Sequence, residues 1–407
     1  MEQRCRRLIP TLALVLICLW SEPGFGSGFA LYEAGARSSA LGGTMVGRAD
    51  DLSAIFYNPA GLTQLPGFRV MGGVSLIMPN VDVATRMGPV STSNHMHDQV
   101  FFPPHLYLSY QIPSSPLWLG LGVFSPFGLG VEFNPNWPGQ VNNIKTTISS
   151  ININPTVAVK ITDYLSVGAG LDFMIFTFEM RRILPLPLLG PQDTTIKADS
   201  LGVGGNVGIL VKPTDYLSLG VSWRSQVRQN LQGRATYTPA SLLNADAQGK
   251  VILPDMIFTG VMFKPMKSLS VEAGFIYTRW SLFRELDLHF NNPLGTLSEV
   301  KNWRDVWRVQ VGVEYRAADW LDLRAGYVFD QEPVPDQYAD YIVPASDRHY
   351  FSFGPGFRWR HWTLDLSYTF MFMADRTINH SQTLGVLPST YENRYAHILA
   401  FSLGYRF

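Results

Sequence analysis

Long segments of this chain alternate bulky apolar residues with small or polar ones, and that pattern constrains the fold more than any other feature. Over 397–407, His397, Leu399, Phe401, Leu403, Tyr405 and Phe407 fall on one face, while Ile398, Ala400, Ser402, Gly404 and Arg406 fall on the other. Segment 362–372 repeats it, with Trp362, Leu364, Leu366, Tyr368, Phe370 and Phe372 opposed to Thr363, Asp365, Ser367, Thr369 and Met371. A period of two is the signature of a β-strand. Runs of this length exceed the roughly five or six residues usual in soluble sheets. They match the ~9–11 residues of a tilted strand that crosses a bilayer, where only a closed sheet satisfies every backbone group.

Composition excludes the main alternatives. Charged residues make up 16% of the chain, against roughly 25% in soluble domains, so an ordinary water-facing surface is not expected. The mean hydropathy of +0.05 is too low for a helical membrane bundle. After residue 20, no uncharged apolar run approaches the roughly 18 residues that a spanning helix requires. The formal net charge of zero offers no basic face for nucleic acid.

A repeat gives the strand count. In "VAVKITDYLSVG", "ILVKPTDYLSLG", "VMFKPMKSLSVE" and "VEYRAADWLDLR", the basic residues Lys160, Lys212, Lys264 and Arg316 stand 52 residues apart each time, and each copy joins two alternating runs through a tight turn. Looser versions at 111–117 and 360–362 bring the short turns to six. Longer polar or Pro/Gly-rich stretches near 80–99, 129–143, 183–197, 237–248, 291–299, 332–347 and 377–393 make seven. The expectation is an all-β, membrane-spanning, 14-stranded antiparallel barrel at 67–407, with both ends on the short-turn side, as in the bacterial outer membrane.

Residues 1–26 read as a signal peptide: Arg4, Arg6 and Arg7 precede an apolar run, and Gly24 and Gly26 occupy the positions that a signal peptidase reads. Both cysteines, Cys5 and Cys18, would leave with it, so neither a disulfide scaffold nor a thiolate enzyme is expected. Residues 27–66 do not alternate and are rich in Gly, Ala and Ser. They fit a compact plug inside the barrel or an unstructured periplasmic leader.

The segment "GFALYEAGARSSALGGTMVGRADDLSAIFYNPAGLTQLPG" resembles the N-terminal hatch of the FadL/TodX-type outer-membrane transporters of long-chain fatty acids and aromatic hydrocarbons, above all at Asn58, Pro59 and Ala60 with Asp50 and Asp51 upstream. "GVFSPFGLGVEFNPNWPG" is similar to the family's third strand and the loop beyond it, and "FSLGYRF" to its last strand. The resemblance implies a lumen blocked by the hatch, capture of an apolar cargo by extracellular loops, and sideways release through a kink in strand three. Asn58, Pro59, Ala60, Asp50 and Asp51 are then the gating residues, and Ser125, Pro126, Phe127 and Gly128 the lateral opening. Pro126 lacks the N–H that a central strand uses and Gly128 adds freedom, which fits a kink; a strand end at the rim is the other reading.

Phe124, Leu184, Leu186, Leu188 and Leu189 are candidate apolar contacts for the cargo, the leucines on an exposed extracellular loop. Arg181 or Arg182 could meet a substrate carboxylate or a lipopolysaccharide phosphate. Arg224, Arg228, Glu272, Glu314, Asp322, Arg324, Arg358 and Asp365 are expected to point inward as a polar lattice around the hatch. His95 and His97 are too slight a motif for a metal site, and no cofactor or catalytic set is expected. Expected partners are a hydrophobic small molecule, outer-membrane lipid including lipopolysaccharide, and the barrel-assembly machinery through Phe407, with the chain a monomer. A general diffusion porin or an outer-membrane barrel lipid enzyme are the alternatives.

Overall fold

A computed structural model describes residues 28–344 and 346–407; the signal-peptide reading at 1–26 lies outside the described residues. Fourteen antiparallel strands close a barrel, several of them in two pieces. They are β1 (Phe68–Met87), β2 (Val90–His95 and Pro104–Gln111), β3 (Leu117–Phe124 and Gly128–Glu132), β4 (Lys145–Lys160), β5 (Leu165–Leu186), β6 (Gly190–Thr214) and β7 (Leu217–Arg224 and Val227–Thr238). There follow β8 (Ala245–Leu253 and Met256–Met266), β9 (Leu269–Thr278 and Glu285–Phe290), β10 (Thr296–Val300 and Val306–Ala318), β11 (Leu321–Asp330), β12 (Arg348–Trp359), β13 (Trp362–Met373 and Arg376–Ile378) and β14 (Ser389–Arg406). Each strand pairs with its sequence neighbours, and β1 closes the ring on β14, from Arg69 opposite Arg406 to Thr85 opposite Ser389.

The alternation decides which face meets what. Outward residues such as Leu171, Leu201, Val203, Val261, Leu323 and Phe353 are exposed, as lipid-facing side chains must be, while Asn152, Asp172, Asn206, Glu272, Gln310 and Arg324 are buried inside. All six short turns fall where the sequence places them. Two of the long connections do not. Strands β1 and β2 continue to a tip at 88–89, and β5 and β6 to a tip at 187–189, so 80–99 and 183–197 are largely strand. At 22 and 25 residues, β5 and β6 are roughly 70–80 Å long at ~3.3 Å per residue, well beyond a bilayer's apolar band. A polar sequence at that height reads as loop but forms a ladder because its partner strand continues beside it.

One further expectation is corrected. Arg228 faces outward, because β7 breaks at Ser225 and Gln226 and resumes with Val227, Gln229 and Leu231 inside. An interruption of the ladder switches the parity of every residue beyond it.

The segment preceding β1 packs inside the barrel. It contains the helices α1 (Ala36–Ala40) and α2 (Ala54–Tyr57) and a 3-10 helix, Pro59–Gln64. Most of its residues are buried, and its helical turns touch strands on opposite sides of the wall.

Candidate functional site

Interior carboxylates and arginines hold the N-terminal segment. Glu272 accepts hydrogen bonds from the backbone N–H groups of Val46 (3.0 Å), Gly47 (2.8 Å) and Arg48 (3.1 Å). Arg37 donates to Asp50 at 2.7 Å and pairs with Glu314 at 2.9 Å; Glu314 also takes Arg48 at 3.1 Å and Arg324 at 2.7 Å. Arg324 reaches Asp365 at 2.6 Å, and Asp322 receives Arg358. Burial works against the charge on Arg37, but Asp50, Glu314 and Asp51 outweigh it and keep the guanidinium's pKa well above its ordinary value. Each charge is compensated, as an ionic interior requires.

Asn58 is fully buried and uses both ends of its amide. It donates to the carbonyls of Val46 and Ile209, both at 3.0 Å, and accepts from Ala60 N–H at 3.2 Å, while Pro59 opens the 3-10 helix without needing a donor. The amide thus ties two parts of the segment to β6. Asp51 caps α2's approach by accepting from Ser53 N–H at 2.8 Å. Room for this turn comes from glycines that the sequence reading did not single out: a Cβ on Gly208 would overlap Asn58, and one on Gly220 would overlap the Val46 carbonyl.

The ladder of the wall breaks at β3. Its lower half pairs with β4 up to Phe124 opposite Asn152, and its upper half resumes with Gly128 opposite Ser149. Between them, Ser125, Pro126 and Phe127 leave the ladder. The interior segment supplies the missing bonds: Leu31 N–H donates to the Pro126 carbonyl at 2.9 Å, and Gly128 N–H donates to the Phe29 carbonyl at 3.0 Å. Ser150 Oγ caps Phe127 on both sides, accepting at 2.9 Å and donating at 2.7 Å. Strand β2 pairs with β3 only as far as Val123, so the outer edge of Gly128–Glu132 has no strand beside it. Residues 96–103 cross that gap, returning to β1 through paired hydrogen bonds between Ile77 and Phe101 (2.9 and 3.0 Å). The Phe101 ring lies where any Cβ on Gly130 would fall.

An apolar cavity of about 350 Å3 lies behind this edge, lined among others by Leu31, Ile77, Phe101, Leu129, Ile148 and Met371. Its inner boundary is Phe29, which sits in an aromatic cage with ring centroids of Trp280 at 4.8 Å, Trp303 at 5.8 Å and Phe127 at 5.9 Å. Trp280 and Trp303 come from the breaks in β9 and β10, so those breaks serve to swing indoles inward.

The other predicted contacts lie elsewhere. Phe124 is buried below the kink, under Phe56 at 5.2 Å and beside the Arg224 guanidinium at 5.3 Å. Leu188 and Leu189 are exposed at the β5–β6 tip, Leu186 lies beside that tip, and Leu184 packs against the core; none lines the cavity. Arg181 is paired with Asp193 at 2.7 Å, and the buried Arg182 with Glu299 at 2.5 Å, which Lys301 links onward to Asp340. His95 is hydrogen-bonded to Asp82 at 2.6 Å. Phe29, Phe101 and the glycine seats were missed because a lone Phe or Gly carries no spacing signal.

A closed 14-strand barrel with an occupied lumen and an apolar chamber at its wall defines a class: an outer-membrane transport barrel. The chain belongs to the family described as outer membrane protein transport protein (OMPP1/FadL/TodX), whose model matches residues 18–407. A long-chain fatty acid transport protein of Escherichia coli O6:H1 is 25% identical over 383 residues, covering 84% of this chain and 85% of the relative. Among solved structures, a Pseudomonas aeruginosa FadL homologue superimposes with a TM-score of 0.83 at 20% identity, covering 94% of this chain and 100% of its own. The Ralstonia pickettii toluene transporter TbuX gives 0.74 at 18%, covering 93% and 100%.

Proposed function

We propose that this barrel takes up hydrophobic small molecules, long-chain fatty acids or hydrocarbons, and releases them sideways into the outer membrane between β2 and β3. The observation that carries this reading is the apolar cavity lying against the edge of β3 that has no partner strand among the described residues and is met by the His97 N–H on the Glu132 carbonyl at 2.8 Å. The relatives' names, a fatty acid transporter and a toluene transporter, supply the substrate range. The physics favours such a path: an apolar solute loses roughly 0.8 kcal/mol per CH2 on returning to water, so passing from pocket to lipid avoids an aqueous lumen. In this mechanism, residues 27–66 are the hatch, Asn58, Pro59 and Ala60 fix its turn, and Asp50 and Asp51 brace Arg37, which ties the hatch to Glu314 of β10. Cargo entering the cavity displaces Phe29 and Leu31 from the kink residues Ser125, Pro126, Phe127 and Gly128, which frees the window. Lipopolysaccharide forms the barrier that is bypassed. Mass spectrometry of ligand co-purified with the barrel tests the substrate class: a bound fatty acid or alkylbenzene is expected, and a barrel that neither retains nor binds either one overturns it.

A further inference from the structure

The short-turn, periplasmic end of the lumen contains a second cavity, about 320 Å3, of opposite character. Seven arginines and three aspartates line it. Most of those charges are already matched: Asp50 and Asp51 by Arg37, Asp365 by Arg324, and Arg316 and Arg358 by the inward Asp322. Arg360 has no such partner among the described residues and sits over the Trp359 ring, and Arg69 and Arg406 are likewise unmatched. They stand directly opposite one another on β1 and β14, on the inward face of the seam that closes the barrel. Among the described residues, neither has a carboxylate within ion-pair distance, and Arg69 uses only its Nε, on the Pro66 carbonyl at 3.2 Å.

Like charges directly opposite on paired strands repel, and here the repulsion falls on the ring's closing ladder. Their guanidinium forks face a chamber too large for a single side chain, with Arg360 and His361 on the neighbouring turn. Planar forks of this kind suit the bidentate geometry of phosphate oxygens.

We propose that the periplasmic mouth binds a phosphate-type oxyanion between Arg69 and Arg406, tying the first strand to the last. The oxyanion is either free phosphate or the headgroup of an inner-leaflet phospholipid. The site is independent of the hydrophobic cargo and its route.

Thermal unfolding of the detergent-solubilised full barrel, with phosphorus NMR line broadening on the same samples, tests it. Inorganic phosphate should raise the melting temperature saturably, while sodium chloride at equal ionic strength should not. Arg406→Gln should weaken the apparent affinity at least about tenfold, the loss of one charge-assisted bond, and yet be no less stable than the natural barrel without phosphate, since repulsion is relieved. Arg406→Lys keeps the charge but not the fork, and should bind weakly. Micelles with phosphatidylglycerol in place of phosphatidylcholine reproduce the shift if a headgroup is the source. An equal response to chloride, no response to either phosphate source, or unchanged binding in Arg69→Gln/Arg406→Gln overturns the proposal.

Discussion

Asn58 shows how one side chain can join a plug to a wall. Its hydrogen bonds to Val46 and Ala60 are buried, so Asn58→Ala leaves the Val46 carbonyl and the Ala60 N–H without that partner, a penalty of about 1–3 kcal/mol each where water cannot enter. A lower melting temperature and faster proteolysis between residues 28 and 66 are expected; an unchanged digestion pattern would show that the turn does not depend on this amide. Gly220→Val tests the same seat from the wall, because its side chain would occupy the space of the Val46 carbonyl. That variant should show raised single-channel conductance as the segment is pushed aside. At this scale the sequence was partly legible. Glu272 and Glu314 announce themselves as polar groups on inward positions, whereas Asn58 stood out only through the motif it shares with the transporter family. Arg228 misled because its parity depends on a two-residue break that no alternation pattern reveals. The glycine seats stayed hidden since their role lies in what a distant segment needs, not in their own neighbours.

At the scale of elements, the kink in β3 follows from Pro126 and Gly128, and its depth in the wall follows from Phe29 and Leu31 supplying the lost backbone bonds. Pro126→Val should slow uptake of a long-chain fatty acid into proteoliposomes while leaving barrel assembly intact; equal uptake would mean that the kink is not on the route. The connection between β11 and β12 offers a different test. Its Tyr341 packs on Trp137 of the β3–β4 connection at 4.7 Å. Burial pushes the Glu332 carboxyl up to about 8, despite Arg348 and Arg376 nearby, and burial likewise raises Asp347 to about 7. Both groups hold protons in the folded connection at pH values where an unfolded chain has lost them. Its stability is therefore full at low pH and declines as pH rises from the ordinary carboxylate range towards 8. Limited proteolysis should cut this connection faster at about pH 8.5 than at about pH 5.5, and Glu332→Gln should reduce the difference. The sequence marked this stretch only as a long polar loop, because the burial of its acids depends on the loops that fold over it.

For the whole molecule, alternation, the 52-residue repeat and the spacing of the long connections were enough to count fourteen strands, because a closed membrane sheet leaves no other use for such runs. The chamber was not legible: its walls come from β1, β2, β3, β4, β12, β13 and β14, the β11–β12 connection and the interior segment, which only closure brings together. The central claim is that cargo leaves through the β2–β3 window. The tip of the Phe101 ring points at Gly130 across it, and there is no cysteine among the described residues. A Phe101→Cys/Gly130→Cys barrel can therefore be bridged by a short bis-methanethiosulfonate, whose span exceeds a direct disulfide's reach, and reopened by reductant. With oleate or an alkylbenzene as cargo, the account predicts that the bridged barrel still binds ligand but transfers it into the bilayer at least about tenfold more slowly, a barrier of ~1.4 kcal/mol or more, with recovery on reduction. Equal transfer rates in the bridged and reduced barrels would contradict it.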